Sequence, residues 1–351
     1  MSESGRREAD TSTASHAETG IAGIDAIVYS STGDAANWLA AKKFFNDWGL
    51  KELAFSADEQ CFETLSGAQI IVRQPGDARL AAPMESGATL REVVWGVESA
   101  ASLDLLLKSA ISRHIHCAAC YENNSILKEF SVHDPHGLQH TFRVSQQREV
   151  ALQGSPSNPY GTPQRINSPS PVYERATPVE IGHVVLFTDM LKEAVAFYEA
   201  LGFVMSDSYP GRGAFLRCSA TAGHHDIFLL QLPPGADGKS KRGLNHIAFT
   251  VRDIHEVFGG GLAMSRAGWK TQLGPGRHPI SSAYFWYFEC PVGGLIEYNA
   301  DEDHLTADWQ PREFTPGPTV FAEWAIDGGI DGHTRRQPAV TSGGQFLSEK
   351  R

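Results

Sequence analysis

The chain has 351 residues, and at about 150 residues per domain this length predicts two domains. Its composition, 41% hydrophobic and 20% charged, is that of a globular protein, and its apolar stretches fall short of the ~18 residues of a membrane span. The net charge of −11 contains no Lys/Arg-rich run, so most of the surface would repel a polyanion. We therefore expect neither a membrane segment nor a nucleic-acid partner.

Residues 1–20 are polar, small and charged. They lack the apolar core of a secretory signal, so we expect a disordered leader and a cytoplasmic location. The five cysteines are odd in number and irregularly spaced, which favours reduced thiols over a disulfide framework.

The first half of the chain, residues 21–150, opens on a short buried strand, IDAIVYSS, followed by a helix, WLAAKKFFNDWGL. The helix has apolar residues at helical spacing and ends at a glycine, which favours a helix C-cap. The same pattern returns in LREVVWGVESAASLDLLLKSAI, and short β-rich segments follow each helix. This half therefore contains two copies of one unit.

Residues 151–178 are rich in proline and have no hydrophobic periodicity, which is typical of a linker. Residues 179–305 then repeat the pattern twice, opening on IGHVVLFTD and on LNHIAFTV. The sequence predicts an α+β protein of four βαβββ modules, paired into two domains. Such a paired sheet would curve around a cleft.

The tail, residues 306–351, contains four large aromatic side chains: Trp309, Phe314, Phe321 and Trp324. Aromatic anchors suit a lid over the cleft or docking on a neighbouring subunit. Both interpretations stay open. The loop at residues 232–243 is long and is expected to border the mouth of the cleft.

Three candidate metal ligands recur at equivalent places in the second half. His183 and His246 lie on the first strands of their modules, and Glu297 lies on a last strand. A single strand histidine is more often a hydrogen-bonded core residue, but burying two imidazoles and a carboxylate together without a partner would cost several kcal/mol. Two histidines and one carboxylate on one face of a metal leave its other positions open, as in non-haem Fe(II) oxygen chemistry.

The first half contains a weaker version of this pattern. Asp25, Glu92 and His140 occupy roughly equivalent positions and have side chains that can bind metal. We expect a site that has decayed, in a domain that contributes sheet surface and packing without a metal.

The segment GPGRHPISSAYFWYFECPVGGLIEY resembles the signature of the type I extradiol ring-cleaving dioxygenases of the vicinal oxygen chelate superfamily. The resemblance covers residues 22–305 and is strongest over 180–300. It implies two domains of paired βαβββ modules with Fe(II) in the C-terminal domain only. It also matches His183, His246 and Glu297 to the three iron ligands of the family.

The same resemblance implies three catalytic residues. His225 falls on the strand where the family places an acid/base histidine, and alternation along that strand would turn His224 to the opposite face. His278 matches a histidine on the substrate side. Tyr287 matches a tyrosine that hydrogen-bonds the metal-bound substrate oxygen.

The resemblance thus implies extradiol cleavage of a catechol-type substrate with O2, in aromatic catabolism, by a homo-oligomeric protein that binds Fe(II). Mn(II) accepts the same ligands and stays open, as does the identity of the catechol. Two alternatives remain: a glyoxalase-like isomerase that uses Ni or Zn, and a metal-free ligand-binding module similar to the bleomycin-resistance proteins.

Overall fold

The computed structural model describes residues 20–87, 89–123, 126–155, 160–161, 163, 175–219, 222–235, 238–316 and 321–326. The predicted leader, most of the predicted linker and the end of the tail lie outside these residues. The domain bounds given above stay predictions.

The first half forms eight strands and two helices: β1 (Ile21–Ser30), α1 (Ala35–Trp48), β2 (Lys51–Phe55), β3 (Glu59–Glu63), β4 (Gln69–Arg73), β5 (Thr89–Val97), α2 (Ala100–Ser112), β6 (Ala118–Glu122), β7 (Ile126–His133) and β8 (Gln139–Val144). The second half continues with β9 (Glu180–Phe187), α3 (Leu191–Ala200), β10 (Val204–Tyr209), β11 (Gly213–Arg217), β12 (Ala222–Gly223), β13 (Ile227–Leu230), β14 (Gly243–Thr250), α4 (Ile254–Arg266), β15 (Thr271–Arg277), β16 (Tyr284–Glu289) and β17 (Leu295–Ala300). Three short strands follow: β18 (His304–Leu305), β19 (Arg312–Glu313) and β20 (Trp324–Ala325).

The two halves form sheets of the same topology. The first has the order β2-β3-β4-β1-β5-β8-β7-β6, and the second has the order β19-β10-β11-β13-β9-β14-β17-β16-β15-β20. Without the two tail strands at its edges, the second order reproduces the first strand for strand. The prediction of four βαβββ modules paired into two units is confirmed.

The centre of each sheet is an antiparallel pair, β1 with β5 and β9 with β14. Both pairs are interrupted by β-bulges at corresponding places, so residues of the two halves can be matched by register. In the second half His183 lies opposite Ala248. The corresponding pair in the first half is Ala26 with Val94.

The helices begin and end where the sequence provides caps. The Asp34 carboxylate accepts hydrogen bonds from the first turn of α1, and Gly49 ends that helix at φ +104°, a conformation that glycine adopts without strain. The apolar face of α1 buries Phe44, Phe45 and Trp48.

Trp48 also joins the two halves. Its indole stacks on Tyr298 of β17 with ring centroids 3.6 Å apart, and the Tyr298 hydroxyl donates to the Trp48 carbonyl at 2.8 Å. One hydrophobic core, which includes residues of both sheets, therefore runs across the boundary between the halves. None of the helices in the described ranges is long and apolar enough to cross a membrane.

Candidate metal centre

The central strand pair of the second sheet positions the two histidines. His246 lies opposite Val185, and His183 lies opposite Ala248, two positions further along the pair. Residues two apart share a sheet face, so both imidazoles project from the same side. Their Nε2 atoms lie 3.2 Å apart, which confirms that they face each other.

Glu297 joins them from the neighbouring strand β17, where it pairs with Ala248. Its Oε2 lies 3.3 Å from the Nε2 of His183 and 3.0 Å from the Nε2 of His246. Ligand atoms about 2.0–2.2 Å from one metal, at angles between 90° and 109°, are separated by roughly 2.8–3.6 Å. The triangle of donor atoms therefore has the size of one face of a coordination polyhedron.

The charge of Glu297 points to a cation. The side chain is fully buried, and neither carboxylate oxygen makes a hydrogen bond of normal geometry within the described residues. Burial raises the pKa of this carboxyl, but the contacts from His183, His246 and His278 outweigh burial and hold the pKa well below its usual range. A buried, ionised carboxylate needs compensation, and the donor set fits a divalent metal.

A neighbouring amide orients His246 for this role. The Oδ1 of Asn245 lies 2.6 Å from the Nδ1 of His246, so the proton sits on Nδ1 and the Nε2 lone pair faces the triangle. Burial lowers the pKa of His246, which favours the neutral form that binds metal.

The position where a fourth ligand could lie is apolar. By register, the position equivalent to Glu297 in the preceding module is Phe228, which pairs with Val185. Its ring stacks on Phe215 with centroids 4.0 Å apart. A carboxylate at residue 228 would have completed a symmetric four-ligand set, whereas phenylalanine leaves that side open for a substrate.

His278 and Tyr287 meet beside the carboxylate. Tyr287 lies on β16 directly opposite Glu297, and its hydroxyl is 3.0 Å from the Nε2 of His278. The Nδ1 of His278 lies 2.7 Å from the carbonyl oxygen of Phe321 and donates to it, so Nε2 accepts from the tyrosine. Burial raises the pKa of Tyr287 well above its usual value, which keeps its proton in place.

His225 lies on the opposite wall, with its ring centroid 4.1 Å from that of His183. The prediction that it lies on a strand is wrong, because residues 224–226 form a bend and β13 begins at Ile227. Strand alternation therefore does not apply, although His224 does not line the cavity. The Nδ1 atoms of the two rings are 3.2 Å apart. Burial lowers the pKa of His225 well below its usual value, and His183 adds to that effect.

Glu302 was not predicted from the sequence. Its Oε1 lies 3.1 Å from the Nδ1 of His225, and Glu302, His225 and His183 form a second group of potential ligands. Burial raises the pKa of Glu302 well above its usual range. An acidic residue just after a strand carries no sequence signal that separates it from a surface residue.

Of the side chains described above, His183, His225, His246, His278 and Tyr287 are among those that line one cavity of about 160 Å³. Its remaining walls are mostly apolar or aromatic: Val185, Tyr209, Phe215, Phe228, Leu230, Leu273, Ile280, Leu295 and Phe321, with Asn245, Gln272, Ser281 and Asn299. The tail thus reaches the cavity through Phe321, while the described part of the loop 232–243 does not line it. The lid function of the tail stays a prediction.

The first half brings no comparable group together within the described residues. Register places Ala26, Glu92 and Thr141 at the positions of His183, His246 and Glu297. The assignment of Asp25 and His140 to these positions is wrong by one residue in each case, which turns both side chains to other partners. Asp25 accepts from Arg143 and Ser145, and the ring of His140 contacts Trp95 and Tyr198.

The paired modules bring together a donor triangle that could hold a metal ion. The sequence model of the Glyoxalase/Bleomycin resistance protein/Dioxygenase superfamily matches residues 180–298, within the second half of the chain.

Among individual proteins, Metapyrocatechase 2 of Cupriavidus necator is 32% identical over 186 residues, or 52% of this chain. These residues cover 54% of the relative, so the match spans about half its length.

Two solved structures cover nearly the whole chain. The Mn(II)-bound glyoxalase from Novosphingobium aromaticivorans has a TM-score of 0.67 at 22% identity, over 94% of this chain and 99% of its own. Homoprotocatechuate 2,3-dioxygenase from Arthrobacter globiformis has a TM-score of 0.64 at 16% identity, over 93% and 95%. At these identities the two likenesses establish the fold alone.

Proposed function

We propose that the protein is an Fe(II)-dependent extradiol dioxygenase that opens the ring of a catechol beside its two hydroxyls, within aromatic catabolism. One observation carries the proposal. The triangle of His183, His246 and Glu297 has an open side that faces an apolar cavity, and protonatable groups stand around that side. The similarity to Metapyrocatechase 2 supports it.

Fe(II) held by these three residues would supply the redox and Lewis-acid chemistry that joins O2 to the ring. The reaction balances without a further reductant, because both atoms of O2 enter the product. What the protein must add is the handling of protons and the exclusion of water.

The surrounding side chains supply those needs. His225 is assigned to remove a proton from a catechol hydroxyl and to return it later, which its position beside His183 allows. The Tyr287 hydroxyl and the His278 ring, already hydrogen-bonded, are assigned to orient the substrate oxygen and to stabilise charge on it. Phe215, Phe228 and Leu230 keep the cavity dry.

The cavity indicates the kind of catechol. An apolar cavity of roughly 150 Å³ accommodates a benzene ring, so about 160 Å³ suits one ring with its substituents toward the mouth. Among the described lining residues there is no lysine or arginine to pair with a carboxylate substituent. We therefore propose a single-ring catechol with uncharged substituents.

The alternatives make different demands on the site. A metal-free binding module has no use for an ionised, fully buried Glu297, and an isomerase with a symmetric four-ligand site would need a ligand where Phe228 stands. Mn(II) in place of Fe(II) is compatible with the same donor set. Homo-oligomerisation stays an expectation.

The test is metal analysis of anaerobically purified protein, coupled to oxygen uptake over a panel of alkyl-substituted and carboxylated catechols. About one iron per chain with uptake, and a yellow product from the uncharged catechols, is the expected result. Bound iron without uptake across the panel would contradict the reaction, and the absence of bound metal would favour the binding module. Faster turnover of the carboxylated catechols would contradict the uncharged substrate.

A further inference from the structure

A chain of polar side chains, buried except at its outer end, extends behind His225, away from the metal triangle. It begins at Arg312 in the tail, on strand β19, which pairs with β10. The backbone N–H of Arg312 donates to Asp207 of β10 at 2.8 Å, and its guanidinium donates to the same carboxylate at 2.6 Å and 3.2 Å. Asp207 is fully buried, so these bonds and one from His224 are its compensation.

The bond to Asp207 fixes the proton on His224. The Nε2 of His224 lies 2.9 Å from Oδ2 of Asp207, and a carboxylate only accepts, so Nε2 carries the hydrogen. In the neutral ring the Nδ1 of His224 is then an acceptor. Burial lowers the pKa of this histidine, which favours that neutral form.

The acceptor nitrogen of His224 determines in turn which nitrogen of His225 carries the proton. The two Nδ1 atoms lie 3.2 Å apart, and since the one on His224 accepts, the one on His225 must donate. Oε1 of Glu302 lies 3.1 Å from the same nitrogen but makes no hydrogen bond of normal geometry, so His224 is the acceptor of this proton. The Nε2 of His225 is left without a hydrogen, as a base among the groups that line the cavity.

We propose that His224, held by Asp207 and the tail residue Arg312, is a positioning residue that keeps the proton of His225 on Nδ1 and its Nε2 free. The proposal rests on the proposed function for the use of that free nitrogen. The arrangement of protons can be measured independently of the reaction. In this proposal the tail residue Arg312 helps to keep the proton of His225 on Nδ1, although Arg312 itself does not touch the cavity.

A double-mutant cycle is the kinetic test. His224→Phe keeps an aromatic ring and removes both nitrogens, and we expect kcat per bound iron to fall about 10- to 100-fold with KM changed less than about threefold. In a His225→Ala background the same change should have less than about a twofold effect, because nothing remains to position. Equal effects in both backgrounds would show a general structural role and overturn the proposal.

Two further variants test whether the effect of His224→Phe is specific to this chain of contacts. Arg312→Gln changes a side chain that is 45% exposed and keeps the backbone N–H that donates to Asp207, and a smaller fall in kcat with the same dependence on His225 is expected. His140→Phe is the matched control, since it removes an equally buried histidine from the first half and should leave kcat per iron unchanged. Loss of kcat in the control but not in Arg312→Gln would contradict the proposal.

The independent readout is nitrogen-15 NMR of the histidine rings in the full-length, metal-free chain. The expected result is a proton on Nδ1 of His225 and on Nε2 of His224. In His224→Phe the proton on His225 should exchange with water at least about tenfold faster, because its acceptor on His224 is gone. A proton on Nε2 of His225 in the wild-type chain would overturn the proposal even if the protein oxidises catechols. The expected spectrum without any turnover would instead place the failure in the proposed function.

Discussion

The two halves of the chain share strand order, register and the positions of their β-bulges, yet only the second brings a metal triangle together. At the three equivalent positions the second half has His183, His246 and Glu297, whereas the first has Ala26, Glu92 and Thr141. The backbone therefore does not create the site by itself. Three side chains on a repeated frame create it.

The two halves also differ in whether their carboxylates find hydrogen-bond donors within the protein. Glu92 accepts from Gln139 and Thr141, so its charge is satisfied inside the first half. Glu297 has no such partner among the described residues and is deeply buried beside two imidazoles. A carboxylate that the protein satisfies is structural, and one left to be satisfied by a metal is functional.

The strongest way to break this comparison is to remove one ligand from each half. His246→Ala takes away a donor of the triangle, and we expect metal content to fall from about one per chain to near zero, with oxygen uptake at background. Glu92→Ala, at the equivalent position of the first half, should leave both unchanged. Plasma emission spectrometry and an oxygen electrode measure the two quantities. Full metal content in His246→Ala would show that the site lies elsewhere.

The next largest effect is expected at His225, which lines the cavity beside His183. His225→Ala should lower kcat by about 10²- to 10⁴-fold, the usual contribution of a positioned acid/base group, and leave iron bound. His133→Ala, at an exposed strand position of the first half, is the control. Unchanged turnover of a good substrate by His225→Ala would remove this residue from the mechanism.

The fold was largely predictable from the sequence because each module opens with a strand and a helix of different hydrophobic period. β9 and α3 are examples: a continuous apolar run followed by apolar residues at helical spacing. The short strands β12, β18, β19 and β20 were not predicted. Two-residue strands have no period of their own and form only because a distant edge is available to pair with.

The candidate site was predictable to the same degree. The ligands stand out as polar residues in apolar strands, and their roles followed from a family resemblance. The contacts of Asp207 and Arg312, 105 residues apart, have no local pattern. Glu302 and the bend at His224 and His225 were missed for the same reason, since both depend on how the chain packs in three dimensions.

A third prediction concerns His140, a buried histidine of the first half. Burial lowers the pKa of His140 from 6.5 to about 3, so the folded state stays neutral while the unfolded chain takes up a proton as the pH falls below about 6.5. The free energy of unfolding should therefore decrease toward acid, by about 2 kcal/mol between pH 8 and pH 5 from this residue alone. Urea unfolding of the wild type and of His140→Phe at both pH values measures it.

In His140→Phe that part of the pH dependence should vanish, whatever the variant does to stability at pH 8. Phe142→Leu, on the same strand, is the control, because it weakens packing without removing a titratable group. It should lower stability by the same amount at both pH values. A pH dependence in His140→Phe equal to that of the wild type would show that His140 does not remain neutral in the folded protein.

The smallest expected effect lies where the two halves meet. Tyr298→Phe keeps the stacking on Trp48 but removes the hydroxyl that donates to the Trp48 carbonyl, which should lower the free energy of unfolding by about 1 kcal/mol. Tyr284→Phe, on β16 and away from this contact, is the matched control and should change stability less. Because one core spans both halves, the unfolding transitions followed by tryptophan fluorescence and by far-ultraviolet circular dichroism should coincide. Separate transitions for the two probes would mean that the halves unfold independently. The first half would then not contribute to the stability of the half that contains the candidate metal site.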